Sequence, residues 1–190
     1  MTDFSRRSFF ATVGTMAGGA WLSARMPEIV SAAHHASRVM SGAEPRTFTV
    51  LKPAEAATIE AISAHIIPTD DTPGAREAGA VYFIDRMLAV WKADLQTVRK
   101  GLKDLRARVA KAHPGKKTFE SLTIEQQHAI LEDLSKTDDA FFETIRGMTI
   151  GGMFANPEYG GNRDKIGWKL LGFDDRFLWS EPFGYYDRQG

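Results

Sequence analysis

The sequence predicts an all-α protein: a small helical bundle with a long irregular, aromatic- and glycine-rich C-terminal segment. Three observations predict it. Between positions 53 and 150 apolar residues recur at steps of three and four, the spacing that lines one face of a helix. No stretch of comparable length alternates apolar with polar residues, as a half-buried strand would. From Gly151 onward the helical period fades, and nearly half of the chain's Phe, Tyr and Trp sit among closely spaced Gly and Pro.

Pro53 suits the first turn of a helix, where its missing N–H costs nothing, and Ile59, Ile62 and Ile66 follow on one face until Pro68 stops the run. Pro68-Thr69-Asp70-Asp71-Thr72-Pro73-Gly74 is dense in breakers and predicts a structural loop, with Asp70 and Asp71 capping the helix that follows. Val81, Ile84, Met87, Leu88 and Trp91 restore the helical step. Leu95, Val98, Leu102, Leu105 and Val109 form the clearest stripe, set in Lys and Arg and closed by His113-Pro114-Gly115. Thr123 with Gln126 is a capping box ahead of Ile130, Leu131 and Leu134. Asp138 or Asp139 can cap a fifth helix that turns Phe141, Phe142, Ile145 and Met148 inward.

The 190 residues fit one domain, and 43% hydrophobic and 25% charged residues with no formal net charge are ordinary for a globular chain. That balance argues against a nucleic-acid partner. There is no cysteine, which removes disulfides, thiolate zinc sites, iron–sulfur ligation and thioether haem attachment together.

The N-terminus carries an address. Arg6 and Arg7 precede Phe9 and Phe10, and a weakly apolar, glycine-dotted run follows from Ala11 to Leu22, which is the layout of a twin-arginine signal peptide. The run falls well short of the roughly 20 apolar residues needed to span a bilayer. Residues 1–32 are therefore expected to be the leader, with cleavage after Ala32 or Ala24, residues 33–49 a linker or extended arm, and residues 50–190 one domain. The expected location is the periplasm, and the translocation machinery is an expected partner.

Residues able to do chemistry are few. His65, Asp70 and Asp71 lie close in sequence and could serve a free-standing metal-dependent enzyme, although such an acidic pair is more often a solvated loop. His34-His35 lacks a third ligand nearby, and His113 and His128 fall on polar faces. No G-x-G-x-x-G, Walker, G-x-S-x-G or H-E-x-x-H motif is present. Asn156-Pro157-Glu158-Tyr159-Gly160-Gly161-Asn162, followed by Arg163 and Asp164, is dense enough in special residues to suggest a recognition loop. The aromatics of the C-terminal segment either fold back over the bundle or anchor another protein, as Trp and Tyr do at interfaces. Tyr159, Trp168 and Trp179 are the expected anchors, with Asn156, Asn162 and Phe173 beside them.

Two segments carry a resemblance. Ile66-Ile67-Pro68-Thr69-Asp70-Asp71-Thr72-Pro73-Gly74-Ala75, running into Ala78-Gly79 and Phe83-Ile84-Asp85, is one. Gly152-Met153-Phe154, Asn156 through Asn162, Gly167-Trp168-Lys169 and Gly172-Phe173 make the other. Over about residues 50–175 the chain resembles the gluconate 2-dehydrogenase subunit 3 family. The resemblance implies a non-catalytic, cofactor-free small subunit of a periplasmic dehydrogenase acting on gluconate, glucose or a related sugar or polyol. It implies a glucose–methanol–choline type catalytic subunit that holds FAD, with or without an iron–sulfur cluster, and a multihaem cytochrome c subunit that holds haem c. It also implies that the catalytic subunit crosses the membrane by hitchhiking on this chain, and that membrane association comes only through the partners. Substrate identity would rest with the catalytic subunit.

Overall fold

The computed structural model describes residues 47–137 and 139–175. The twin-arginine motif Arg6, Arg7, Phe9 and Phe10, most of the 33–49 arm, the alternative cap Asp138 and the expected anchor Trp179 lie outside the described residues. Within them are six α-helices and no strand: α1 (Pro53–Ile66), α2 (Ala80–Val90), α3 (Lys92–Ala112), α4 (Ile124–Lys136), α5 (Ala140–Phe154) and α6 (Ile166–Leu171). Single 3₁₀ turns at Phe119–Ser121, Pro157–Tyr159 and Arg163–Lys165 complete the order. The fold is all-α, as the apolar spacing predicts, and no described helix is long and apolar enough to cross a membrane.

Local chemistry starts these helices where the sequence places them. Pro53 opens α1, and the Lys52 amide donates to the Glu55 carboxylate at 2.8 Å. At α4 the Thr123 hydroxyl accepts from the Gln126 amide at 3.3 Å while the Thr123 amide donates to Gln126 Oε1 at 3.0 Å, the reciprocal pair of a capping box. Asp139 caps α5 by accepting from the Phe142 amide at 3.1 Å.

The acidic loop departs from expectation. Asp70 Oδ1 accepts from the amide and the hydroxyl of Thr72, at 2.9 and 3.1 Å, so it closes its own turn and does not cap a helix. The clasp across the loop is Glu77, whose carboxylate accepts from the Thr69 hydroxyl at 2.6 Å and the Gly74 amide at 2.8 Å. The Thr69 hydroxyl, and then the Gly74 amide, hold Glu77 below the ordinary glutamate range. Its contribution to stability is therefore present above that range and is lost as the pH falls through the lowered value.

α5 is the centre of the molecule, packed against each of the other five helices and most extensively against α2. Its buried residues, among them Phe141, Phe142, Ile145, Gly147, Met148, Thr149, Gly151, Gly152 and Met153, go almost round the helix, as a fully enclosed helix requires. Phe83, Ile59, Ile62, Ile84, Met87, Leu88 and Val98 close around it. Ser63 and Thr149 bond to each other at 2.9 Å in this core, and the Thr149 hydroxyl donates to the Ile145 carbonyl at 2.7 Å.

The fifth helix also runs further than the fading period predicts. Gly151 and Gly152 do not end it, because they serve as contact points: a Cβ on Gly152 would sit 2.8 Å from Ala80 Cα, so only glycine lets α2 and α5 approach this closely. In the described part of the irregular segment beyond, α6 adds one short helix at Ile166–Leu171. α2 and α3 are nearly continuous, broken only at Trp91, which leaves helical geometry at φ −89° and ψ 87° and keeps its ring buried.

Candidate partner-binding site

A helix leaves its last four carbonyls without intrahelical partners, and at the end of α5 the following segment supplies them. The Asn162 amide donates to Gly152 O at 2.6 Å, the Asn162 side-chain nitrogen to Ala155 O at 2.9 Å, and the Trp168 indole N–H to Phe154 O at 2.8 Å. Asn162 Oδ1 in turn accepts from the Gly167 amide at 2.8 Å, so this one side chain ties the loop to both α5 and α6. Gly161 permits the approach, because a Cβ there would meet Gly152 O at 2.1 Å.

The wrap is held in unfavourable backbone. Asn162, Asp164 and Lys165 take φ of 43°, 55° and 57°, the left-handed region that costs L-residues roughly 1 kcal/mol or more each. The Arg163 amide donates to Ala78 O at 3.0 Å, which joins the wrap to the turn before α2. The two segments that carry the resemblance, far apart in sequence, therefore meet at the start of α2 and the end of α5.

On the outer side of the wrap the surface is apolar and open. Leu171 and Phe173 are 58% and 47% exposed, and with Phe154, Trp168, Gly172 and Asp174 they line a groove of about 550 Å³. Phe173 meets Trp168 edge-on at 5.1 Å between ring centres. The Lys165 ammonium pairs with Asp175 at 2.6 Å and stands 6.0 Å from the centre of the Trp168 ring.

The expected interface residues divide. Phe173 is exposed, whereas Trp168 is half-buried with its polar handle spent inside the chain. Tyr159 is half-buried against the core, and Asn156 accepts from the Glu158 amide at 3.1 Å to cap its 3₁₀ turn. Asn162 has no exposed surface, so its side chain works for the fold and offers nothing to a partner.

The metal-enzyme alternative does not assemble. His65 Nε2 lies 2.8 Å from Gln127 Oε1, and the Gln127 amide nitrogen donates to the Phe119 and Leu122 carbonyls, so Gln127 presents its oxygen and His65 is the donor. Asp70 is engaged with Thr72, and Asp71 is exposed. Among the described residues no three His, Asp or Glu side chains are grouped closely enough to hold a metal ion. His113 and His128, expected on solvated faces, are half-buried, and the His128 ring lies 6.3 Å from that of His65.

Asp85, one of the residues that carry the resemblance, has a role that its neighbours in sequence do not announce. It is 2% exposed, and its carboxylate accepts from the backbone amides of Thr49, Val50 and Leu51 at 2.6, 3.0 and 2.9 Å. It thereby moors the stretch that enters α1 to the middle of α2. The signal was an acid inside an apolar stripe, which is tolerated only when donors are waiting for it.

A family model described as Gluconate 2-dehydrogenase subunit 3 matches residues 53–175. No curated protein and no solved structure matches the chain.

Proposed function

The chain belongs to the gluconate 2-dehydrogenase subunit 3 family, and on that footing we propose that it is the non-catalytic small subunit of a periplasmic flavin-dependent sugar or polyol dehydrogenase. In this reading the redox groups belong elsewhere: FAD, with or without an iron–sulfur cluster, to a glucose–methanol–choline type catalytic subunit, and haem c to a multihaem cytochrome. The composition supports that division, since a chain without cysteine or a dinucleotide-binding motif offers no thiolate and no Gly-rich cradle for a pyrophosphate. The leader would carry the assembled pair through the twin-arginine route, and the small subunit would keep the flavin subunit mature and soluble.

The observation that carries the reading is the open groove over the end of α5. Exposed Leu171 and Phe173 stand on a braced base, because the Asn162 side chain and the Trp168 indole behind them are bonded within the chain's own wrap. Large apolar side chains on a preorganised surface are what an interface centre needs, and truncating one often costs 2 kcal/mol or more, about thirtyfold in affinity.

Co-expression with the flavin subunit tests this. Phe173→Ser and Leu171→Ser should lose the catalytic subunit on affinity purification while the melting temperature of the isolated chain barely moves. Trp168→Ala should lower both, because it also removes the bond to Phe154 O. Full retention of the catalytic subunit by the Phe173 and Leu171 variants together would place the interface off this groove.

A further inference from the structure

The formal charge of the whole chain is zero, yet α3 is strongly basic: Lys92, Arg99, Lys100, Lys103, Arg106, Arg108 and Lys111 face only Asp94 and Asp104 in the same helix. The helix sorts these charges into two rows. Lys100, Asp104 and Arg108 follow one another at steps of four, and that row is neutralised, Lys100 pairing with Asp104 at 2.7 Å and Arg108 with Asp133 of α4. Lys92, Arg99, Lys103 and Arg106, at steps of seven, four and three, share the other flank. There Arg99 meets Glu55 at 3.7 Å, while Lys92, Lys103 and Arg106 form no ion pair with any described carboxylate. This row is about 21 Å long at 1.5 Å per residue. Lys116 and Lys117, both exposed, extend it beyond the helix, and the next residue, Thr118, lines the same groove as Arg106.

We infer that this basic flank, Lys92, Arg99, Lys103, Arg106, Lys116 and Lys117, is an adsorption surface for an anionic phospholipid bilayer. Four of the six are lysine, which is depleted from protein–protein interfaces, and clusters of Lys and Arg adsorb electrostatically to anionic lipid headgroups. Of the large exposed apolar residues among those described, Ile124, Leu171 and Phe173 belong to other elements and only Val90, two residues before Lys92, borders the flank, so it lacks the cluster of anchors that a protein interface centre requires. Even with Arg99 against Glu55 and with Glu120 on the groove beside Arg106, the basic groups fall within the range of four to eight that holds a segment at an anionic surface, each unpaired one contributing about 1 kcal/mol near the headgroups. The flank is well away from the apolar groove. α3 lies against the start of α5, where Gly101 faces Phe141, whereas the groove is bonded to its last residue, Phe154, about 20 Å along the helix axis. A bilayer and a catalytic subunit could be engaged together.

Flotation of the full chain with vesicles tests the inference, using phosphatidylcholine containing a third phosphatidylglycerol against pure phosphatidylcholine. The chain should bind the anionic vesicles only, less as salt shortens the screening length. Lys92→Glu/Lys103→Glu/Arg106→Glu should lower the partition coefficient at least tenfold with an unchanged melting curve, while Lys136→Glu on α4 should leave it unchanged. Equal binding by the triple variant and the parent would overturn the assignment and give any adsorption to the rest of the chain. Loss of a co-purifying catalytic subunit with vesicle binding intact would also overturn it, in favour of an acidic protein face. The outcome is separate from the groove experiment, because Phe173→Ser should leave vesicle binding untouched.

Discussion

Asp85 and Asp70 show how differently two carboxylates of one family segment contribute. Asp85 is buried and is the acceptor for three successive amides; those of Thr49 and Val50 can turn to water when it is removed, whereas the Leu51 amide is enclosed. Asp85→Ala should therefore cost about 3 kcal/mol, near the upper end of what losing a charge-assisted acceptor to buried donors costs. In a chain of this size that is about 10 °C in Tm. Asp70 accepts from the amide and hydroxyl of Thr72 on an exposed turn, and Asp70→Asn should cost at most about 1 kcal/mol and leave turnover of the assembled complex unchanged. Thermal unfolding of both variants beside the parent checks the contrast, and similar losses would refute the mooring role given to Asp85. The sequence announced the turn around Asp70 through its prolines, but it could not announce where Asp85 points. The donors of Asp85 lie more than thirty residues upstream, and nothing local relates them. Asn162 was misjudged for the same reason: an Asn among glycines reads as an exposed recognition loop, and only the three-dimensional approach of Gly152, Ala155 and Gly167 makes it a buried hub.

At the scale of elements the legible part was the periodicity. α1, α3 and α4 begin and end close to where proline, the capping box and His113-Pro114-Gly115 place them, because those signals act within one turn. α5 was less legible, because glycine weakens a helix by about 1 kcal/mol relative to alanine and so reads as a terminator. In this molecule the loss is offset by contact, since Gly152 admits both the backbone of Ala80 on one side and the wrap around Gly161 on the other. Gly152→Ala is thus a direct test of which effect prevails. Helix propensity alone would raise stability, but the added methyl would press on main-chain atoms that cannot rotate away, and overpacking of that kind costs about 1–3 kcal/mol. The melting temperature of Gly152→Ala should fall by several degrees, and a rise would mean that the α2–α5 crossing can open at little cost.

The described residues form a single core around α5, with an apolar groove at one end of that helix and a basic flank beside the other, which is the layout the proposed subunit role needs. The proposed export role rests on Arg6 and Arg7. A twin-arginine leader is an address read by a receptor, not a charge that drifts to a membrane, and lysine should not substitute for arginine because it lacks the planar, forked guanidinium. Replacing both with lysine keeps the net charge and leaves the described residues, 47–137 and 139–175, untouched, so folding and the contact with the catalytic subunit should survive. If the flavin subunit has no leader of its own and travels by hitchhiking, both chains should then be found together, folded and flavin-loaded, in the cytoplasm. Fractionation of cells expressing the pair, with dehydrogenase activity measured in each fraction, reads this out. Under the proposed function, activity should move from the periplasm to the cytoplasm without a fall in the total, because the chemistry would belong to the partner and only its address would have been erased. Periplasmic activity that persists at the parental level in the doubly substituted strain would show that the catalytic subunit finds its own way across, and would reduce the role of this chain to stabilisation after export.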